Sequence, residues 1–288
     1  MDQQDETMNY FREHAQEWKR KAGDGDVNVI AQRNSFVLRA VRHHDGSMLD
    51  VGCGTGDLVC AMAQKGMNAV GVDFSQEMIN IARETASRLH LSNARFECCS
   101  IFDYHIQNHF DVLSANGFIE YISYAELEKF LDIAFHGLKT RGSLILGSRN
   151  RLFNIFSLNS FTEQELRENS FTALVAEAIA VARASSVTEL TGLKTIAFQR
   201  KDIIHEGTGI PVATRFQYTP IQLINLLCEK GFETVEVFPI HIHAFPPLCK
   251  DKYPTIHASI SNALHHYAEG NMSLIPQSSS FMIHALKK

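Results

Sequence analysis

Three glycines, Gly52, Gly54 and Gly56, form a turn bracketed by Asp50 and Asp57 in "MLDVGCGTGDL". Such a turn lets a ligand come close to the backbone. Its spacing is G-x-G-x-G, not the G-x-G-x-x-G of dinucleotide sites, and Asp57 rather than Gly-Lys-Ser/Thr follows the glycines, so it is no P-loop. Two carboxylates repel a pyrophosphate and suit a cation. Asp73, at the end of the next apolar run, can accept both hydroxyls of a ribose. A nucleoside joined to a cationic, amino-acid-like tail satisfies all of these residues. Taken singly, Asp50 or Asp57 also reads as a turn or capping residue.

A second group lies near the carboxyl end, in "PIHIHAFPP". His241 and His243 share a face if the segment is a strand. They could form half of a metal site, act as a general base toward an acceptor, or simply line a wall. Zinc asks for three or four ligands. His205, Cys249, His257, His265 and His266 could supply more, but no spacing selects among them, so no metal is assigned. His241 and His243 stand as the candidate catalytic pair, in the role of general base. In "SRNRLFN", Arg149 and Arg151 could grip an acceptor carboxylate or phosphate, and Tyr121, with Glu120, is a further pocket candidate.

These residues need a scaffold. The runs 47–51, 68–73, 94–98, 109–115 and 142–148 read as short buried strands separated by helices, the pattern of a parallel sheet covered on both faces. Ser75 is the expected N-cap of the helix after Asp73, and Glu77 suits its first turn. Strands of such a sheet present their ligand loops along one edge, which collects Asp50, Asp73, Ser100, Asn116 and Arg149. The rhythm breaks after Asn150 and returns with a helix from Pro220 to Gly231, a strand at 233–245 and a closing strand at 278–286. The expected organisation is therefore N-terminal cap helices at 1–45, an α/β domain at 46–149 and 219–288, and an inserted lid or substrate wall at 150–218. A smaller insertion is expected at 246–277.

The 288 residues are 45% hydrophobic and 20% charged with net charge −5, an ordinary globular balance. No basic stripe points to nucleic acid, and no run is long and apolar enough to span a membrane. The polar, acidic N-terminus lacks the form of a signal peptide, and the six cysteines lack a paired spacing. A cytoplasmic protein with reduced thiols is expected.

"LDVGCGTG" followed by "AVGVDFSQEMINIAR" resembles the first two motifs of the class I S-adenosylmethionine-dependent methyltransferases. "HFDVLSANGFIEYI", "YTPIQLINLLCEKGF" and the N-terminal "YFREHAQEWKRKAG" are similar to later motifs and to the cap helix of small-molecule members, including ubiquinone-biosynthesis O-methyltransferases. The resemblance covers roughly residues 8–149 and 216–245. It implies a doubly wound, mostly parallel, seven-stranded α/β sheet of the Rossmann-like methyltransferase fold, with a mainly helical insertion. It implies S-adenosylmethionine as the methyl donor. Gly52, Cys53 and Gly54 would line the methionine end and Asp50 its ammonium group. Asp73 would hold the ribose, Phe74 and Met78 would flank the adenine, and Asn116 would pass the methionine part through its backbone. Where the family usually places an Asp against the adenine amino group, this chain has Ser100, followed by the Ile101 amide. Tyr10 and Trp18 on the cap helix could face the sulfonium or seal the helix to the domain. The expected acceptor is a small molecule, methylated on oxygen before nitrogen, and anionic if the arginines face the pocket. Rival readings are a noncatalytic S-adenosylmethionine-binding protein and, less well supported by the glycine spacing, a nicotinamide-dependent oxidoreductase.

Overall fold

The computed structural model describes residues 10, 27–43, 45–106, 110–198 and 216–288. Seven strands form one sheet in the order β3-β2-β1-β4-β5-β7-β6. They are β1 Ser47–Val51, β2 Asn68–Asp73, β3 Ala94–Cys98, β4 Phe110–Asn116, β5 Leu138–Arg149, β6 Phe232–Ile242 and β7 Ser278–Lys287. The first five are parallel, and β7 runs antiparallel between β5 and β6. This is the expected doubly wound sheet. The strand order reverses between β1 and β4, so a crevice opens at their carboxyl ends.

Two apolar layers hold helices to the sheet, and period-two alternation assigns residues to them. Leu49, Val51, Leu113 and Ala115 face one layer, with Leu127 and Phe130 of α4 (Tyr124–Gly137) and Leu223 of α8 (Pro220–Glu229). Met48 and Val112 face the other, with Phe36 and Val37 of α1 (Val29–Ala40), Val59 and Met62 of α2 (Asp57–Gln64) and Ile79 of α3 (Gln76–Arg88). The caps fix where helices begin. Ser75 Oγ accepts the Met78 amide, as expected, and reciprocal capping boxes open α4 at Ser123–Glu126 and α8 at Thr219–Gln222.

Beyond β5 the chain folds into α5 (Asn154–Ser157), α6 (Ser160–Arg167) and α7 (Phe171–Arg183). The long apolar-rich run after Phe161 is thus two helices, broken where Asn169 takes a left-handed φ of +55°. Asn150 and Tyr218 form a parallel β-bridge. After β6 come α9 (Pro247–Lys252) and α10 (Pro254–His265). The fifth strand begins earlier than the apolar run suggests, because the chain passes directly from the end of α4 into β5 at Leu138. The expected cap helix around Trp18 lies outside the described residues. Among the described residues no helix is long and apolar enough to cross a membrane.

Candidate active site

A cavity of about 640 Å³ lies over the carboxyl ends of β1, β2, β4 and β5, a size suited to a small molecule. At one end the glycine turn, Asp50 and Asp73 form its floor. Gly52, Gly54 and Gly56 all have positive φ, and a Cβ on Gly54 would meet nothing within 4 Å. Asp73 braces the turn: its Oδ2 accepts the Gly54 amide at 3.0 Å and its Oδ1 accepts the Ser75 amide at 2.9 Å. Each oxygen keeps a lone pair for a further donor. Asp50 is buried at the crevice, and its Oδ1 has no protein partner. Burial pushes its carboxyl up to about 7; the Ser114 hydroxyl offsets part of the rise and the Asp73 charge adds to it.

Asn116, expected to act through its backbone, presents more than that. Both polar atoms of its side chain are buried without a protein partner on the cavity wall. Buried amide atoms without partners are costly unless a ligand or water meets them. Cys53, Phe74, Met78 and Ser100 also line the cavity. Ser100 Oγ accepts the Phe102 amide at 3.3 Å and so shapes its own turn. The Ile101 side chain belongs to the apolar core rather than to the lining. Tyr10 is helical and buried but does not line the cavity.

Cations line the cavity as well. Arg149 lines it, with its Nε 4.0 Å from Glu120 Oε2. Arg33 reaches in from α1 and donates through Nη2 to Ser280 Oγ at 3.1 Å, and Lys250 stands at the edge. Tyr121 lines the wall, as do Phe153, Asn154 and Phe161 from the segment after β5. Arg151 is a correction. Its guanidinium is fully buried in a bidentate pair with Glu165, Nε to Oε1 at 2.9 Å and Nη2 to Oε2 at 2.8 Å, and Nη1 donates to the Ala197 carbonyl. It ties the end of β5 to Glu165 of α6 and is not part of the cavity lining.

His241 and His243 do share a location: their ring centroids are 4.2 Å apart and both line the cavity. His241 takes a left-handed φ of +53° inside β6, a conformation that costs a non-glycine residue on the order of 1–3 kcal/mol. Gln32 of α1 secures it by accepting its amide at 2.9 Å. Burial lowers His241 to about 2 and His243 to about 3, and neighbouring positive groups add to the effect. Both imidazoles are therefore held in the neutral form.

Several lining residues carried no sequence signal of their own. Arg33 had one, a lone cation with Val29, Ile30, Phe36 and Val37 at helical spacing on an otherwise apolar face. Phe153, Asn154 and Phe161 sit in a segment without a motif.

The sheet order, the crevice and the glycine turn with its acidic partners place the chain in a known class. It belongs to the methyltransferase-domain family, matched over residues 42–192, and S-adenosylmethionine is the methyl donor of this class I fold. It is similar to the ubiquinone biosynthesis O-methyltransferase of Nitrobacter winogradskyi, 32% identical over 111 residues, 38% of this chain and 41% of that protein. The mitochondrial ubiquinone biosynthesis O-methyltransferase of Mus musculus is 29% identical over 150 residues, 48% of this chain and 40% of the relative. The chain thus matches about two fifths of the length of these relatives. Among solved structures, magnesium protoporphyrin IX methyltransferase from Synechocystis PCC 6803 with bound SAH shares the fold, with TM-score 0.59 and 14% identity over the whole of both chains. The residues present fit the donor: Asp50 Oδ1 and the Asn116 amide await polar partners, and Gly54 leaves open space beside them.

Proposed function

We propose that this protein methylates an oxygen atom of a small, anionic acceptor. The observation that carries the reading is one cavity lined both by Asp50 and Asp73 beside the glycine turn and by Arg33, Arg149 and Lys250, three cations that outnumber the neighbouring Glu120. When bound, S-adenosylmethionine supplies an activated methyl group on a sulfonium. Asp50 and Asn116 would hold its amino-acid end, and Asp73 its ribose. Phe74 and Met78 would pack on the adenine. Arg149 and Arg33 would orient the acceptor's negative charge, and Phe153 and Phe161 would exclude water. The names of the similar O-methyltransferases support oxygen as the methylated atom.

The test is release of S-adenosylhomocysteine from S-adenosylmethionine, followed with a panel of small hydroxy acids, phenols and amines. Turnover with acidic oxygen acceptors is expected, and it should fall in Arg149→Ala. Turnover confined to amines would replace oxygen by nitrogen. Binding of S-adenosylmethionine without turnover on any acceptor would make the protein a noncatalytic binder.

A further inference from the structure

Behind the cavity wall, His257 of α10 meets His241 of β6 and His243 just after it. Donor nitrogens of His241, His243 and His257 all lie within 4.8 Å of one another, and all three residues are buried. His241 Nε2 and His257 Nε2 are 2.9 Å apart. Two nitrogens each ~2.05 Å from one metal ion lie ~2.9 Å apart at a right angle and ~3.3 Å apart at a tetrahedral angle. The observed pair, hydrogen-bonded to each other, needs to open by only ~0.4 Å to match two ligands on one tetrahedral ion.

His243 supplies an independent observation. It is 3% exposed, and neither ring nitrogen has a hydrogen-bond partner. An imidazole stripped of water on both nitrogens awaits a ligand. Its ring is held between Phe153, at 4.7 Å between centroids, and the other two histidines. Ser279 Oγ lies 3.2 Å from His241 Nδ1. With the proton on Nδ1, the hydroxyl accepts it and the Nε2 lone pair faces His257, which is how an outer partner sets a metal-binding tautomer. For His257 to ligate through Nε2, its proton must sit on Nδ1, a change of tautomer with no net proton release.

We infer that His241, His243 and His257 form a binding site for a divalent transition metal of the zinc type, with an open coordination position toward the cavity. Three neutral imidazoles are a ligand set for Zn²⁺, Co²⁺ or Fe²⁺ and a poor one for Mg²⁺ or Ca²⁺. His241 and His243 line the cavity while His257 backs them, so the unfilled position faces the acceptor end. The cations there, Arg149 and Lys250, disfavour a bare dication and favour one that carries an anionic oxygen ligand. The acceptor role of this position rests on the methyl-transfer reading; the metal site itself does not.

The experiment uses the full chain. Protein stripped with a chelator is incubated with Co²⁺ and desalted. Retained cobalt, the visible d–d spectrum and the melting temperature are then measured, and S-adenosylmethionine affinity is measured separately by calorimetry. The expected result is about one cobalt per chain with a low-symmetry spectrum and a raised melting temperature. His257→Ala should lose cobalt affinity by at least ~10-fold while keeping S-adenosylmethionine affinity, since His257 is not part of the cavity lining. His243→Gln offers a second disruption should His257→Ala not fold. Wild-type protein that binds S-adenosylmethionine yet retains no cobalt and shows no thermal shift would overturn the site. Retained cobalt without S-adenosylmethionine affinity would leave the metal site standing and remove the donor reading instead.

Discussion

Asp73 accepts the Gly54 amide at 3.0 Å through Oδ2, so the residue expected to hold a ribose also pins the glycine turn. The two roles predict different losses. Asp73→Ala removes both and should weaken S-adenosylmethionine binding by about 3 kcal/mol, while also lowering the melting temperature. Asp73→Asn keeps one acceptor oxygen and should lose about 1.5 kcal/mol. Calorimetry that finds unchanged affinity in both would remove Asp73 from the site.

Gly54 and Gly56 separate binding from folding. Both have positive φ, so alanine is strained at either by roughly 1–2 kcal/mol. A Cβ on Gly54 meets open space, whereas one on Gly56 would lie 2.7 Å from Ala82 Cβ and 2.7 Å from the Phe96 ring. Gly54→Ala should therefore fold and bind donor at least ~10-fold more weakly, because its methyl enters the cavity. Gly56→Ala should lose more stability, read as the larger fall in melting temperature. Equal melting temperatures would contradict the packing around Gly56.

The strands, and the gathering of Asp50, Asp73 and the glycine turn on one cavity, were legible because their signals are local. "SMLDV" and "NAVGVD" are bounded by turns and match β1 and β2 residue for residue, and Ser75 caps α3 as its type suggests. The acceptor end was not. Arg149 and Arg151 look alike in sequence, but Glu165, fourteen positions on and brought near by the inserted helices, takes one of them. His257 could not be singled out among several histidines, since its proximity to His241 depends on how α10 packs against β6. From sequence, Asn116 points to the ligand only through its backbone, because nothing local says that its side chain lacks a partner.

That difference between Arg149 and Arg151 is itself testable. Burial alone would raise the Glu165 carboxyl, but bonds from Arg151, Ser170 and Asn154 bring it below its ordinary value. Arg151→Ala leaves that carboxylate buried and short of its bidentate partner, and should cost about 3–5 kcal/mol of stability. Arg149→Ala removes a partly exposed cation 4.0 Å from the buried Glu120 carboxylate, without bidentate geometry, and should cost less, about 1–3 kcal/mol. Denaturant unfolding of the two variants measures both. A depressed carboxyl contributes stability above its unfolded value and loses it as pH falls, so the gap between variants should narrow in acid.

Asp50 has the opposite sign. Its carboxyl titrates near 3.8 when unfolded and near 7 when folded, chiefly through burial. The folded protein therefore holds a proton that the unfolded chain has lost, and the stability this group allows falls as pH rises from about 4 to about 7. Asp50→Asn should stabilise the ligand-free protein by roughly 2–4 kcal/mol at about pH 8 and by less at about pH 5.5. Donor binding runs the other way, because an ammonium group favours the ionised carboxylate. Affinity for S-adenosylmethionine should rise with pH through 7, and binding at about pH 6 should release up to about one proton. Asp50→Asn should lose ~10- to 100-fold in affinity together with that proton release. Calorimetry in two buffers of different ionisation enthalpy reads the released proton directly. Equal heats in both buffers near pH 6 would mean that Asp50 does not meet the ammonium group.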